Sequence, residues 1–69
     1  MRKFAIRLKE LRKEKNETQK QLADSIGVTQ SMVTRWEKDE CEATATILIR
    51  IANHFEVCID YLVGRQDWY

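Results

Sequence analysis

Gly27 is one of only two glycines in a chain without proline, and it falls in the middle of the stretch TQKQLADSIGVTQSMVTRWE, Thr18 to Glu37. That placement divides the stretch into two short helices meeting at a tight turn. Before the glycine, Thr18 is suited to cap a helix N-terminus through its hydroxyl, and Gln21 three residues later completes a capping box. Leu22, Ala23 and Ile26 then follow at the i, i+1, i+4 spacing of one buried face. Gly27 stands where a helix ends in a left-handed residue that only glycine adopts cheaply. After it, Thr29 offers a second N-cap. Val33 and Trp36 mark a second apolar stripe, with Gln30, Ser31, Thr34 and Arg35 directed away from it.

The flanking segments carry the same helical period. A first helix is expected from about Lys3 to Lys15, with Phe4, Leu8 and Leu11 inward at i, i+4, i+7 and Asn16 and Glu17 as connector. Arg12, one residue past Leu11, has a half-buried stem and so needs a partner for its charge. A fourth helix, from about Ala45 to Phe55 with Thr44 or Thr46 as N-cap, directs Leu48, Ile51, Ala52 and Phe55 inward, with Val57 packing after its end and His54 exposed. A fifth, Ile59 to Val63, is capped by Cys58 or the preceding turn, stops at Gly64, and adds Ile59 and Leu62 to the core. No alternating strand pattern of useful length is present. The expectation is an all-α, five-helix domain spanning residues 1–69, with its core at about 4–64 and a tail at 65–69. Sixty-nine residues suffice for one small core and no more.

Net charge of +1 conceals an asymmetry: Met1 to Lys38 holds ten Lys and Arg against five Asp and Glu, and Asp39 to Tyr69 holds two against six. Two readings are open, a solvated surface with no partner or a basic face addressed to phosphate with acid kept elsewhere. The N-terminus is charged from Arg2 onward and no apolar run has membrane-spanning length, so the expected location is cytoplasmic, with no membrane partner. Cys41 and Cys58 are separated by about 16 Å of expected helix, too far for a bridge between them. Together with His54 they follow no recognised zinc spacing, and no metal or other cofactor is expected. No nucleophile–base constellation and no phosphate-cradling glycine loop is present, which argues against an enzyme.

RLKELRKEK, TQKQLADSIGVTQSMVTRWE, LIRIANHFEV and IDYLVGR, in this order and at this spacing, resemble the phage repressor and Cro type of helix-turn-helix DNA-binding domain, also called the XRE family. The resemblance runs from Phe4 to Arg65. It implies a lambda-repressor-like fold and a sequence-specific double-stranded DNA-binding transcriptional regulator, a repressor working as a homodimer on a two-fold-related operator. The recognition helix would be about 29–38, lying in the major groove. Carried over by position, Gln30, Ser31, Thr34 and Arg35 would contact bases. Gln30 matches the bidentate reading of adenine, Ser31 a flexible donor or acceptor, Thr34 a methyl able to meet a thymine methyl, and Arg35 either guanine or phosphate. Thr18, Gln19, Thr29 and Lys38 match phosphate-contacting positions, Gln19 also steadying Gln30. Arg12 and Glu37 match a buried ion pair that ties the first helix to the end of the third.

Leu62, Val63, Trp68 and Tyr69 are the expected dimer surface, the alternative being that the two aromatics fold back on their own core. The chain departs from the family pattern at Asp39, Glu40 and Glu42, where a glycine followed by basic residues is common, at Ala43, where proline is common, and at Glu17, usually apolar, which removes a small core contact. The acids should repel phosphate and flatten the salt dependence of DNA binding. They also motivate a different reading, an antitoxin-like or regulatory module that binds a protein partner through the acidic loop 39–42.

Overall fold

A computed structural model describes residues 2–69; Met1, included in the expected 1–69 span, lies outside the described residues. Five helices follow one another without an intervening strand among these residues: α1 (Arg2–Glu14), α2 (Gln19–Ile26), α3 (Gln30–Glu37), α4 (Ala45–Phe55) and α5 (Ile59–Leu62). Their limits are set by local chemistry. Thr18 Oγ1 accepts the Gln21 N–H at 3.1 Å while Gln21 Oε1 accepts the Thr18 N–H at 2.8 Å, a reciprocal capping box that starts α2. Gly27 ends it at φ 75, ψ 36, donating its N–H to Ala23 O. A Cβ here would meet Arg50 Nη1 at an ordinary 3.7 Å, so glycine is required by backbone conformation rather than by space. Thr29 starts α3 through Met32 N, and Thr44, not Thr46, starts α4 by accepting from Ile47 N at 3.3 Å.

Every helix contributes to one core. Phe4, Leu8 and Leu11 of α1, Leu22, Ala23 and Ile26 of α2, Val33 and Trp36 of α3, Ile51 and Ala52 of α4, Val57, and Leu62 of α5 are buried together. Trp36 stands at its centre, edge-on to Phe4 with ring centroids 6.3 Å apart. Its Nε1–H is buried without a hydrogen-bond partner among the described residues, so the ring is there for its apolar area. α3 packs on both α1 and α2, and α4 bridges α2 to α5.

Four expectations change. Ile59 is 37% exposed: Val57 and Leu62 fill this end of the core and leave the first residue of a one-turn helix on its rim. Leu62 is fully buried in its own chain and is therefore removed from any dimer surface. Leu48 and Phe55 pack against the core but remain partly exposed, since the sealed positions of α4 are Ile51 and Ala52. His54 is half-buried instead of exposed, because Glu17 reaches it across the connector after α1.

The tail folds back. Arg7 donates to the carbonyls of Tyr61 and Gln66 and to Asp67 Oδ1, with its guanidinium 4.2 Å above the Tyr61 ring. The Cys58 N–H donates to Tyr69 O at 3.0 Å, and Cys58 Sγ caps α5 by accepting from Tyr61 N. Tyr69 donates its hydroxyl to Glu14 and lies edge-on to Tyr61, yet it keeps 58% of its surface exposed and Trp68 keeps 70%.

Three non-glycine residues, Asn16, Asp39 and Glu56, hold positive φ just past helix ends. Glu56 combines that strain with a negative charge at the C-terminus of α4, where the helix dipole opposes it. Glu56→Gly is expected to raise unfolding free energy by about 1 kcal/mol, visible as a higher urea midpoint at unchanged slope; a lower midpoint would contradict the strain at this cap.

Candidate nucleic-acid interface

α3 has a sealed side and an open side. Val33 and Trp36 are 0% and 1% exposed, whereas Gln30, Ser31 and Arg35 are fully in the exposed class and Thr34 lies half-buried between the two. Gln30 with Thr34, and Ser31 with Arg35, each stand four residues apart and form two neighbouring rows on the outer surface. The candidate base-contacting residues are thus brought onto one face. Thr18 and Thr29, both exposed, lie at the N-termini of α2 and α3; their hydroxyl oxygens are used as caps, which leaves the hydroxyl hydrogens free to donate. Lys38 is exposed at the opposite end of α3, donating its N–H to Thr34 O.

Behind this face runs a partly buried polar network. Arg12 Nε donates to Glu37 Oε2 at 2.7 Å and its Nη2 to Glu37 Oε1 at 3.1 Å, a bidentate pair with side chains 12% and 4% exposed. The remaining Arg12 nitrogen donates to Glu17 O at 2.8 Å. The hydrogen bond to Glu37 holds the Arg12 pKa above its already high ordinary value, against the opposing effect of burial. A raised basic pKa adds stability that is complete below the unfolded value and lost only above it, so the Arg12 guanidinium stays charged through all neutral and moderately alkaline conditions.

Gln19 completes the network. Its Nε2 donates to Glu37 Oε1 at 3.1 Å, and its Oε1 accepts the Thr34 hydroxyl at 2.7 Å. The expected support of Gln30 by Gln19 is therefore replaced by support of Thr34 and Glu37. These two bonds use one of the two amide hydrogens of Gln19.

Sequence reasoning missed four side-chain anchors, those of Glu17, Lys15, Arg50 and Arg7, that matter for placing this surface. Glu17 sits 2.8 Å from His54 Nε2, and Lys15 Nζ donates to His54 O, so the connector after α1 is tied to the end of α4. In place of the apolar contact that Glu17 removes stands a hydrogen-bonded one to His54, between side chains 13% and 16% exposed. Arg50 reaches Ile26 O at 3.4 Å and so binds α4 to the last turn of α2. Arg7 anchors the tail, as described above. None of these has a local signal, since the partners lie 24 or more residues apart and only the fold joins them.

A family model described as helix-turn-helix matches residues 8–62. The chain is 38% identical over 64 residues to the HTH-type transcriptional regulator YqaE of Bacillus subtilis, covering 93% of this chain and 55% of that protein. It is 40% identical over 63 residues to the cryptic phage CTXphi transcriptional repressor RstR of Vibrio cholerae, covering 91% and 56%. The chain thus spans about half the length of the curated relatives it matches. Among solved structures, the P22 c2 repressor in complex with a synthetic operator superposes with a TM-score of 0.82 at 25% identity, over 86% of this chain and 89% of that one. PlcR of Bacillus thuringiensis, in complex with the peptide PapR7 and DNA, gives 0.82 at 30% identity, over 91% and 22%.

The ion pair behind α3 makes a direct prediction. Arg12→Leu leaves the Glu37 charge buried and alone and is expected to cost about 3–5 kcal/mol, a large part of the stability of a domain this size. Arg12→Leu with Glu37→Leu leaves no charge behind and should cost far less than the two single changes summed. Urea titrations of the four species measure the coupling; additive costs would show that the pair does not act as a unit.

Proposed function

Since the chain belongs to the helix-turn-helix family of phage repressors and related transcriptional regulators, we propose that it binds a specific double-stranded DNA operator and represses transcription there. The observation that carries this reading is the exposed row-and-row face of Gln30, Ser31 and Arg35 on a helix capped by Thr29 and held from behind by Glu37. A helix of this width fits the major groove of B-DNA, and a side-chain amide at its first position matches the paired donor and acceptor on adenine. Ser31, Thr34 and Arg35 contact neighbouring bases. Thr18, Gln19, Thr29 and Lys38 hold the backbone phosphates on either side.

Two copies place their α3 helices about 34 Å apart, one turn of DNA, on a two-fold-related site. With Leu62 sealed inside the fold, the dimer surface consists of Val63, Trp68 and Tyr69, the last two exposed over most of their area. The protein acts in the cytoplasm of a bacterium or on a phage genome within it. No helix among the described residues is long and apolar enough to cross a membrane. The acidic loop 39–42 weakens phosphate attraction next to α3 and makes affinity depend more on base contacts than on charge.

Selection from random duplexes tests this reading. The chain is expected to enrich a two-fold-related site, and Gln30→Ala to weaken binding to that site by about 1–3 kcal/mol while its helical circular dichroism is unchanged. Failure to enrich any duplex even at low salt would exclude the proposed activity. Sedimentation showing one protein chain per enriched duplex would exclude the homodimer.

A further inference from the structure

Thr34 has one hydroxyl hydrogen and two acceptors within reach, Gln19 Oε1 at 2.7 Å and the Gln30 carbonyl at 3.1 Å. Both lie within the protein. The orientation of the Gln19 amide is dictated in turn by Glu37: a carboxylate only accepts, so it draws the amide NH2 toward itself and leaves the amide oxygen facing Thr34. Glu37 is fixed by the Arg12 fork. The consequence passes along four side chains. Arg12 sets Glu37, Glu37 sets the Gln19 amide, and the amide sets the Thr34 hydroxyl as a donor pointing inward. A helical threonine chooses between rotamers that exchange hydroxyl and methyl, and the shorter bond to Gln19 reinforces the one in which the hydroxyl also reaches the Gln30 carbonyl. What Thr34 can then offer a partner outside is its methyl group.

We propose that Gln19 is a positioning residue that sets base specificity, by turning Thr34 from a hydrogen-bonding side chain into an apolar contact for the C5-methyl of thymine. The inference rests on the DNA-binding reading above and adds to it what makes Thr34 select thymine. Thymine is the only DNA base to carry a methyl in the major groove, so a side chain restricted to its own methyl discriminates for thymine. A threonine with a free hydroxyl would accept several bases. The phosphate contact of Gln19 can coexist with this function, because one amide hydrogen remains unused.

The test uses the duplex that the chain enriches, with each thymine replaced in turn by uracil, which deletes only the methyl. Wild type is expected to lose about fourfold in affinity at one thymine per half-site, the worth of one buried methyl group. Thr34→Val keeps a methyl and should retain the loss. Thr34→Ser has no methyl and should bind the thymine and uracil duplexes equally, which identifies the thymine concerned. Gln19→Leu should bring the thymine-to-uracil ratio at that position toward one, and should leave it unchanged in a Thr34→Val background, where no hydroxyl remains to be turned. Gln19→Ala serves as the second variant if Gln19→Leu does not fold. If Gln19 variants weaken all duplexes uniformly at an unchanged ratio, the side chain is merely structural and the inference fails. An enriched duplex in which no thymine shows the loss overturns this inference alone; no enriched duplex at all overturns the DNA-binding reading with it.

Discussion

The carboxylate of Glu37 is the point on which the geometry of this small protein depends. It closes α3, is 4% exposed, and receives N–H bonds from Arg12 on α1 and from Gln19 at the start of α2. Three helices are thereby registered on one group. A core of this size fixes distances between helices well and rotations about their axes less well, because apolar contacts are non-directional. Directional bonds to a single buried carboxylate supply the missing constraint. Desolvating the ions offsets much of their attraction, so the contribution here is better understood as orientation of α3 than as net stability. An outer face offered to bases a few ångströms away needs its rotation set in this way.

The rest of the polar architecture extends the same logic to the parts that carry no core of their own. The connector between α1 and α2 is held at Glu17, whose carbonyl accepts from Arg12 and whose carboxylate is hydrogen-bonded to His54. The turn between α2 and α3 is backed by Arg50 at Ile26 O. α5 has only four residues and one buried side chain, too little to hold itself, and Arg7 supplies bonds to Tyr61, Gln66 and Asp67 that make α5 and the tail a continuation of α1. The exposed Trp68 is consequently presented on a backbone that is fixed rather than loose.

What could be read in the sequence was what depends on near neighbours. The capping box at Thr18 and Gln21, the stop at Gly27 and the apolar periods of α1 to α3 are all written within a turn or two of chain. Even the choice between Thr44 and Thr46 was limited to one pair of candidates by the same rule. Arg12 announced that it needed a partner, but Glu37 was supplied by family resemblance, since no spacing rule joins positions 25 apart. The errors share that cause. Ile59 and Leu62 have equal claims to the core by period, and only Val57 arriving from the preceding turn decides between them. His54 looked like a surface residue because its partner Glu17 lies 37 positions away. Gln19 was assigned to Gln30 by family pattern, whereas this chain has a threonine at 34 that competes for the amide and wins at 2.7 Å.

The charge asymmetry takes on a sharper meaning once Glu37 is placed. The C-terminal end of α3 carries the negative pole of the helix dipole, and Asp39, Glu40 and Glu42 follow it immediately. An ionised and unpaired Glu37 would extend that negative region along the helix toward the reading face. Bound by Arg12 it contributes little field beyond its own pair, since opposite charges 2.7 Å apart largely cancel at the distance of a DNA backbone. The boundary between the basic and acidic halves of the sequence falls after Lys38, at the C-terminal end of α3. The acids follow the far end of α3, next to Lys38, while Gln30 and Ser31 stand exposed at its near end. On the proposed DNA-binding reading, contacts at the N-terminal end of α3 would carry more of the recognition than those at its acid-flanked C-terminal end, and the inward-turned hydroxyl of Thr34 would leave its methyl to add discrimination by shape.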